Sequence, residues 1–406
     1  MTDILIASNG HGEDVIAGRV LDRLVAQRPD LSIEGWPMVG EGAAYAARGI
    51  PTVGARNLLP SAGFATLDPR LMIGDLKAGW IGTYLRQARD ARALRGRYRM
   101  IVAVGDIVPI GAAVLARTPF VFIGCAKSTY YRPRHGYTGF EKWLLRRYCT
   151  EAYPRDALTA AALERAGVAC RYLGNPMMDG LEGTGDRLGI GDDETVVGLL
   201  AGTRADAEAN MLDLLAAAGR APHHMDASAR LRFVFAARPE LDPAALAPAI
   251  AADPRLGAWR VVSSGPRGGD GVVMRLDHPA GMQALVTKGR FADVLRLSSL
   301  VVGMAGTANE QAIGLGIPLV AVPAAGIQGE RYVRMKMEYF GGSALYAPRD
   351  PDAIAGAVAQ LLADPGRCAR MAAAGRERMG EPGASEAIAA AILRHFDGIA
   401  AGRAAA

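Results

Sequence analysis

A chain of 406 residues with a formal net charge of +5 is too long for one hydrophobic core, and its length predicts two domains of roughly 150 to 200 residues. Half of the residues are hydrophobic and 21% are charged, which excludes a disordered chain. The mild positive charge does not indicate a nucleic-acid partner. The four cysteines form no CxxC pair, so we expect neither a zinc site nor a disulfide framework.

The chain shows no targeting or membrane-spanning pattern. Its N-terminus reads MTDILIASNG, a strand entering a glycine turn, which argues against a signal peptide. The longest apolar stretch, 313–327, is too short to span a membrane and contains two prolines. We therefore expect a cytoplasmic protein that contacts membranes only peripherally.

The first half of the chain alternates apolar strands with helices, a rhythm that predicts a parallel, doubly wound sheet with its ligand crevice at the carboxyl ends of the strands. The predicted strands are 4–7, 32–39, 51–53, 99–104, 119–123, a short strand ending at 153, and 170–173; the predicted helices are 15–27, 41–48, 107–116 and 156–166. Residues 174–193, rich in Gly, Asp and Pro, predict a linker.

A second alternation follows and predicts a second α/β domain. Its predicted strands are 195–200, 231–236, 260–263, 272–276, 300–303 and 318–322, and its predicted helices are 207–218, 243–252, 308–315, 352–363, 365–378 and 384–396. Two similar halves predict two Rossmann-like domains facing each other across a cleft, 1–178 and 190–382, with a C-terminal helix in 383–406.

The glycine turn after strand 300–303 is the first candidate site. Gly306 and its small neighbours let the backbone approach a ligand, and the helix that follows Thr307 points its N–H groups and positive dipole end at the same spot, which suits a phosphate. Glu310, one turn further, is placed to accept hydrogen bonds from sugar hydroxyls. A nucleotide diphosphate is the predicted ligand, and a plain tight turn is the alternative.

Gly202, Thr203 and Arg204 follow the first strand of the second half. A guanidinium group there could bind diphosphate oxygens in a bidentate way and stabilise a departing nucleoside diphosphate. The alternative is an ordinary surface arginine in a turn.

Two further turns offer a general base. The turn after the first strand contains Gly10, His11 and Gly12; His11 titrates near neutrality and could remove a proton from an attacking hydroxyl, and Asp14 would orient it or cap the following helix. Asp106, at the end of strand 99–104, is the competing base. It could equally be a helix N-cap.

Segment 127–147 combines six basic residues with five aromatic ones. This mixture suits the headgroup region of an anionic membrane, and it would also suit single-stranded nucleic acid or a solvated helix face over aromatic side chains. The apolar stretch 58–84 either extends this patch or belongs to the core. The predicted membrane-facing residues are Tyr130, Tyr131, Arg132, Arg134, Trp143, Arg146 and Arg147.

Five motifs together resemble the lipid-A-disaccharide synthase-related proteins, bacterial relatives of lipid-A-disaccharide synthase. They are SNGHGED at 8–14, LPSAGFATLDPRLMIGDLKAGW at 59–80, LGNPMMD at 173–179, LLAGTR at 199–204 and AGTANEQAIGLGIPLV at 305–320, and they span nearly the whole chain.

The resemblance implies an α/β GT-B fold whose first domain binds an acceptor and whose second binds a nucleotide sugar, with the last helix packing back on the first domain. It places Arg204, Glu310 and Gln328 at the donor, Asn175 in an acceptor loop, and Asp106 or His11 as the base. The implied enzyme is inverting and needs no metal or other cofactor. The chain departs from the synthase at Thr203, where the synthase has serine, at Glu310, which comes one residue earlier, and at His11, where the synthase has small residues. The related family is defined largely by similarity, so the resemblance gives a reaction class rather than a substrate.

The sequence therefore predicts a glycosyltransferase that moves a sugar from a UDP-linked donor to a lipid acceptor at the inner face of the cytoplasmic membrane, in bacterial envelope glycolipid synthesis. Two alternatives stay open: a nucleotide-sugar epimerase or hydrolase of the same fold, and a non-catalytic GT-B protein that binds a glycolipid or nucleotide sugar. The sequence does not predict an oligomeric state.

Overall fold

The computed structural model describes residues 2–56, 80–131, 136–225, 230–264 and 271–404. The chain forms two compact units. Unit 1 contains the residues up to Asp179 and those from Glu381 onward, and unit 2 runs from Gly180 to Gly380. The chain therefore leaves unit 1 once and re-enters it at its C-terminal end.

Unit 1 is built on a parallel five-stranded sheet with the order β2-β1-β3-β4-β5. Its strands are β1 (Thr2–Ser8), β2 (Ile33–Pro37), β3 (Tyr98–Val104), β4 (Phe120–Gly124) and β5 (Cys149–Pro154). Its helices before the crossing into unit 2 are α1 (His11–Gln27), α2 (Ala43–Ala46), α3 (Trp80–Ala93), α4 (Ile107–Ala116), α5 (Gly139–Tyr148) and α6 (Ala157–Arg165).

The centres of β1 and β3 and the whole of β4 are continuous apolar runs because both faces of the sheet are covered. Ile4 and Ile6 of β1 pack in one apolar cluster with α1, whereas Leu5 and Ala7 pack in another with Ile110 of α4. Alternate residues thus enter opposite layers. This is why the strands appear in the sequence as unbroken apolar runs rather than alternating ones.

Unit 2 has an eight-stranded sheet with the order β13-β12-β11-β6-β7-β10-β9-β8. Its strands are β6 (Thr195–Leu200), β7 (Leu231–Ala237), β8 (Arg260–Ser264), β9 (Val272–Asp277), β10 (Gln283–Lys288), β11 (Leu300–Gly303), β12 (Leu319–Ala321) and β13 (Ala344–Tyr346). Its helices are α7 (Ala207–Arg220), α8 (Pro243–Ala252), α9 (Phe291–Leu297), α10 (Thr307–Gly314), α11 (Glu330–Phe340), α12 (Pro351–Leu362) and α13 (Pro365–Met379).

The sequence predicted two similar sheets, but the sheet of unit 1 is parallel with five strands and that of unit 2 is mixed with eight. Strand β9 runs antiparallel to both of its neighbours. Only residues 278–282 join β9 to β10, and a parallel crossover needs a dozen or more residues, so this connection has to be a hairpin. Strands β10 and β13 and helices α3, α5, α9 and α11 were not predicted.

Two predicted strands of the first half are wrong, because each forms only one bridge. In residues 51–53, Thr52 pairs with Gly35 alone, and in residues 170–173 Cys170 pairs with Ala152 alone. Much of the predicted linker also belongs to unit 2, since the backbone N–H groups of residues 184–185 donate to the Asp293 carboxylate at 2.5 and 3.1 Å.

The last helix, α14 (Ala384–Ala404), packs in unit 1. Ile388, Ile392 and Phe396 are buried in the apolar cluster that includes α1, and the guanidinium of Arg99 lies 4.4 Å from the centre of the Phe396 ring. No helix in the described part of the chain combines the length and the hydropathy needed to cross a membrane.

Glu151 ties α14 to the sheet edge. Its carboxylate accepts hydrogen bonds from Arg171 Nε at 2.5 Å, from Tyr153 Oη at 2.9 Å and from His395 Nε2 of α14 at 2.9 Å. Burial raises the pKa of Glu151, but these hydrogen bonds outweigh burial and lower it from 4.5 to about 2.

We expect Glu151→Gln to lower the thermal midpoint of unfolding of unit 1 by about 2–4 °C at pH 7, as a loss of about 1 kcal/mol does in a domain of about 150–250 residues, the size range of this unit. Because the folded-state pKa is depressed, the stabilisation is complete above about pH 4.5 and is lost as the pH falls towards 2. Calorimetry from pH 7 to pH 3 should show the difference in thermal midpoint between the wild type and Glu151→Gln becoming smaller. Glu386→Gln, which removes an exposed carboxylate of α14, is the matched control, and a difference that does not change with pH would contradict the assignment.

Candidate functional site

Two turns of unit 2 contact each other at the carboxyl ends of β6 and β11. The Met304 N–H donates to the Leu200 carbonyl at 2.8 Å, and a Cβ atom on Gly202 would lie 3.4 Å from the Met304 carbonyl oxygen. Gly202 has φ +82°, a conformation that favours glycine. The structure therefore brings the predicted turn at Gly202 to the turn that precedes α10.

A third turn, residues 323–329 after β12, joins them. Gln328 is buried, and its Nε2 would lie 2.6 Å from a Cβ atom on Gly306; the hydroxyl of Tyr332 would lie 3.0 Å from the same atom. Gly306 is thus a point of close approach. Gln328, which only the resemblance suggested, lies beside it.

Polar side chains at the start of α7 hold this third turn in place. Asp206 accepts a hydrogen bond from the N–H of residue 326 at 2.9 Å, and Asn210 accepts one from the N–H of residue 325 at 2.9 Å. Asn210 also donates to the Ala201 carbonyl at 3.0 Å. The three turns are therefore connected by hydrogen bonds into one edge of the sheet.

Helix α10 begins at Thr307 with Gly306 as its N-cap, which has no side chain to cap the first turn. A helix start without a side-chain cap leaves backbone N–H groups and the positive end of the dipole for a ligand. Thr203 and Thr307 are exposed and Arg204 is half-buried. This edge of unit 2 therefore offers donors that an anion could use, and the predicted phosphate site stays a prediction.

Glu310 is placed differently from the prediction. It is 2% exposed, and its Oε1 accepts a hydrogen bond from Lys336 Nζ of α11 at 2.5 Å. The Lys336 ammonium also lies 5.7 and 5.6 Å from the ring centres of Tyr332 and Tyr339. Glu310 is therefore enclosed in an ion pair that joins α10 to α11, rather than presented to sugar hydroxyls.

In unit 1, α1 begins at His11, four residues before the predicted start at residue 15. His11 is exposed on the first helical turn, and a Cβ atom on Gly40 would lie 2.5 Å from its ring. Asp14 is buried and accepts a hydrogen bond from Ser8 Oγ at 2.5 Å. Burial raises the pKa of Asp14 to about 6, against the lowering effect of Ser8. Asp14 thus neither caps α1, whose N-cap is Gly10, nor hydrogen-bonds to His11.

Asp106 is the N-cap of α4. Its carboxylate accepts from the Val108 N–H at 2.9 Å and from Asn9 Nδ2 at 2.9 and 3.0 Å. Burial nevertheless raises its pKa, since these hydrogen bonds and the Lys127 charge only partly compensate. The predicted capping role is confirmed, and the base role stays a prediction.

Glu13 is a candidate acid–base residue that the sequence motifs did not indicate. It is half-buried on the first turn of α1, and burial raises its pKa to about 7, with further raising by Asp106. The signal that could have revealed it is a carboxyl group three residues after Gly10, in the glycine turn that follows the first strand.

Asn175 does not lie exposed in a loop, as its implied place in an acceptor loop would require. It is completely buried, and its Oδ1 accepts from the Met177 N–H at 3.1 Å, so that it caps the 3₁₀ turn Pro176–Met178. The neighbouring Asp179 accepts from the backbone N–H groups of Gly383 and Ser385 at 2.5 and 2.7 Å. This motif therefore anchors the start of α14.

The aromatic and basic segment is partly exposed. Trp143 is 44% exposed and stacks on Phe140 at 5.9 Å, and Tyr148 meets Trp143 at 5.8 Å. Arg146 and Arg147 are exposed. These five residues, all on α5, are called the α5 face below.

Other residues of this segment differ from the prediction. Tyr131 is buried at 6% exposure and Tyr130 is half-buried, so Tyr131 does not face a membrane. Lys127 turns inward to the buried Glu141, with its Nζ 2.7 Å from the carboxylate. Arg132, Arg134 and most of the stretch 58–84 lie outside the described residues.

We expect Lys336→Met to destabilise unit 2 by about 3 kcal/mol, because it leaves the Glu310 carboxylate buried without its partner. Urea unfolding would measure the loss, and adding Glu310→Gln should recover part of it. Arg334→Met is the matched control on α11, since its exposed ion pair with Glu330 is worth about 1 kcal/mol or less. Equal losses in the two single variants would contradict the buried pair.

No family model matches this chain, and no curated protein matches its sequence. Solved structures match its fold over almost the whole length. MurG from Acinetobacter baumannii is 14% identical with a TM-score of 0.59, covering 97% of this chain and 100% of its own. UDP-GlcNAc 2-epimerase from Neisseria meningitidis, bound to UDP-GlcNAc, is 11% identical with a TM-score of 0.55, covering 97% and 100%. The glycosyltransferase SnogD from Streptomyces nogalater is 16% identical with a TM-score of 0.51, covering 98% and 99%. The predicted fold class is confirmed: the chain is an α/β protein with the GT-B fold.

Proposed function

We propose that this protein is an inverting glycosyltransferase that moves a sugar from a UDP-linked donor to a membrane lipid acceptor in bacterial envelope glycolipid synthesis. The observation that carries the proposal is the meeting of three turns at the carboxyl ends of β6, β11 and β12. Ligands of open α/β sheets bind at this edge. The resemblance of the sequence motifs supports the reaction class.

On the donor side, the small residues Gly202 and Gly306 leave room for a diphosphate to approach the backbone. The N–H groups at the start of α10 and the Arg204 guanidinium would take up the negative charge that develops on the departing diphosphate. In this mechanism they provide the stabilisation that a metal ion provides in other transferases.

On the acceptor side, a base in unit 1 would receive the proton of the acceptor hydroxyl, and the sequence indicates His11 and Asp106 for this role. The hydroxyl oxygen forms a bond to the anomeric carbon as the bond from that carbon to the diphosphate oxygen breaks. The electron pair of the broken bond leaves with the diphosphate. Attack from the opposite face inverts the anomeric configuration.

Two features of unit 1 support a lipid acceptor. The α5 face combines exposed aromatic rings with exposed arginines, as peripheral membrane surfaces do. A cavity of about 660 Å³, lined mainly by apolar side chains of α3 and α4, lies next to the residue pair Ile107 and Val108 that follows Asp106. A hydrocarbon chain suits such a lining.

An epimerase is the second candidate, because the structural neighbours include a UDP-GlcNAc 2-epimerase of similar size. An epimerase would convert the sugar of UDP-N-acetylglucosamine without releasing UDP. A transferase would release UDP only when an acceptor is present. NMR of the nucleotide sugar, incubated with the protein in the presence and absence of bacterial lipid vesicles, would separate the two activities.

We expect the protein to bind UDP, and we expect Arg204→Ala to weaken binding about 10- to 100-fold, the loss that follows removal of a charge-assisted hydrogen bond. Isothermal titration calorimetry with UDP and UDP-N-acetylglucosamine would measure this. Arg260→Ala, which removes an exposed arginine of β8 in the same unit, should bind like the wild type. A wild-type protein that binds no nucleotide sugar would contradict the proposed transfer reaction.

We expect the α5 face to bind anionic membranes. Replacing both Arg146 and Arg147 with alanine should weaken co-sedimentation with phosphatidylglycerol vesicles about 30-fold, since each arginine near such a surface contributes about 1 kcal/mol. The binding should also weaken as salt is added. Leu158→Ala, at an exposed apolar residue of α6, should have no effect, and unchanged binding by the double variant would exclude this face.

A further inference from the structure

The Glu13 side chain occupies a space that two glycines leave open. A Cβ atom on Gly105, in the turn after β3, would lie 2.9 Å from Glu13 Cγ, and a Cβ atom on Gly10, in the turn after β1, would collide with the Glu13 carboxyl group. Both glycines have positive φ values, +121° and +155°. The two turns at the carboxyl ends of adjacent strands are therefore shaped around this one carboxyl group.

Charged groups from several elements surround the Glu13 carboxyl. Asp106 and Asp14 oppose its ionisation from the start of α4 and from α1 itself, and Arg155, after β5, favours it. The Cys125 thiol, after β4, also interacts with it. Arg155 is fixed by donating to the Cys125 carbonyl at 2.8 Å. Glu13 thus lies where the carboxyl ends of β1, β3, β4 and β5 meet.

Glu13 is better placed to transfer a proton than the two residues that the sequence indicated. The Asp106 carboxylate is occupied by its N-cap and Asn9 hydrogen bonds. His11 is the first residue of α1 and is exposed to solvent. In the described part of the chain, the Glu13 carboxyl receives a hydrogen bond only from its own backbone N–H, and the residue is largely buried but still partly exposed. It can therefore still accept a proton from a bound substrate.

We propose that Glu13 is the catalytic base of the transfer reaction and that the acceptor hydroxyl binds over the Gly10 and Gly105 turns. This inference rests on the proposed function. The hydroxyl proton passes to a Glu13 oxygen while the hydroxyl oxygen bonds to the anomeric carbon and UDP leaves with the electron pair of the broken bond. Asp106 is then a positioning residue, since it fixes the start of α4 and acts on Glu13 by its charge.

Glu13 titrates in the range in which a base works at neutral pH. Burial is the largest cause that raises its pKa to about 7, and the charge of Asp106 adds to it. Because the folded-state pKa is raised, the ionised carboxyl costs stability. The cost begins above about pH 4.5, grows until the pH passes 7 and is constant beyond that.

The test compares Glu13→Gln with the wild type in three measurements. The first is UDP release from UDP-N-acetylglucosamine with vesicles of bacterial polar lipids as the acceptor source, from pH 5 to pH 9. The second is UDP binding by calorimetry, and the third is the thermal midpoint over the same pH range. Glu164→Gln, which removes an exposed carboxylate of α6, is the control.

We expect wild-type turnover to rise with an inflection near pH 7, and Glu13→Gln to lower it about 10²- to 10⁴-fold with UDP binding unchanged. The variant should also be more stable than the wild type at pH 8 but not at pH 5, which separates loss of chemistry from loss of fold. A Glu13→Gln variant with wild-type turnover overturns the base assignment while the proposed function stands. A wild-type protein that releases no UDP overturns both the proposed function and the base assignment. A stability difference between Glu13→Gln and the wild type that does not change with pH contradicts the titration of Glu13 near pH 7.

Discussion

The structure depends on one property of parallel sheets: all their carboxyl ends lie at the same edge, so every strand delivers its following turn to one place. In unit 1 this edge gathers Gly10, Gly105 and the start of α4, and in unit 2 it gathers Gly202, Gly306 and residues 323–329. Residues far apart in the chain thus become neighbours without any long-range pairing of their own. Glycine then determines how closely a ligand or side chain approaches.

The parts of the fold that the sequence predicted well are those encoded by local pattern. Helix α4 and strand β6 were predicted with the observed bounds, because a continuous apolar run or a helical period between turn residues needs no partner to be recognised. Strand β9 shows the limit. Its direction follows from the short connection to β10, and β10 itself was not recognised, so the antiparallel edge could not be foreseen.

The candidate site was predicted in part for the same reason. The glycines in the sequence indicated the turns at Gly202 and Gly306, and the structure brings these two turns together. The partners of individual side chains could not be read from the chain. Glu310 is enclosed by Lys336 from a helix that was not predicted, and Asp14 bonds to Ser8. Glu13 could not be identified from the sequence, because its raised pKa comes from burial and from the charge of Asp106. Both depend on the fold, which places the turn after β3 against Glu13.

The return of α14 to unit 1 also bears on how the chain folds as it is synthesised. Asp179, the last residue before the crossing into unit 2, holds the backbone N–H groups of Gly383 and Ser385, and α14 completes the apolar cluster around α1. All of unit 2 is therefore on the growing chain before unit 1 has its final helix. The sheet of unit 1 is synthesised before unit 2, and the surface of α1 is left uncovered until residues 384–404 have been made.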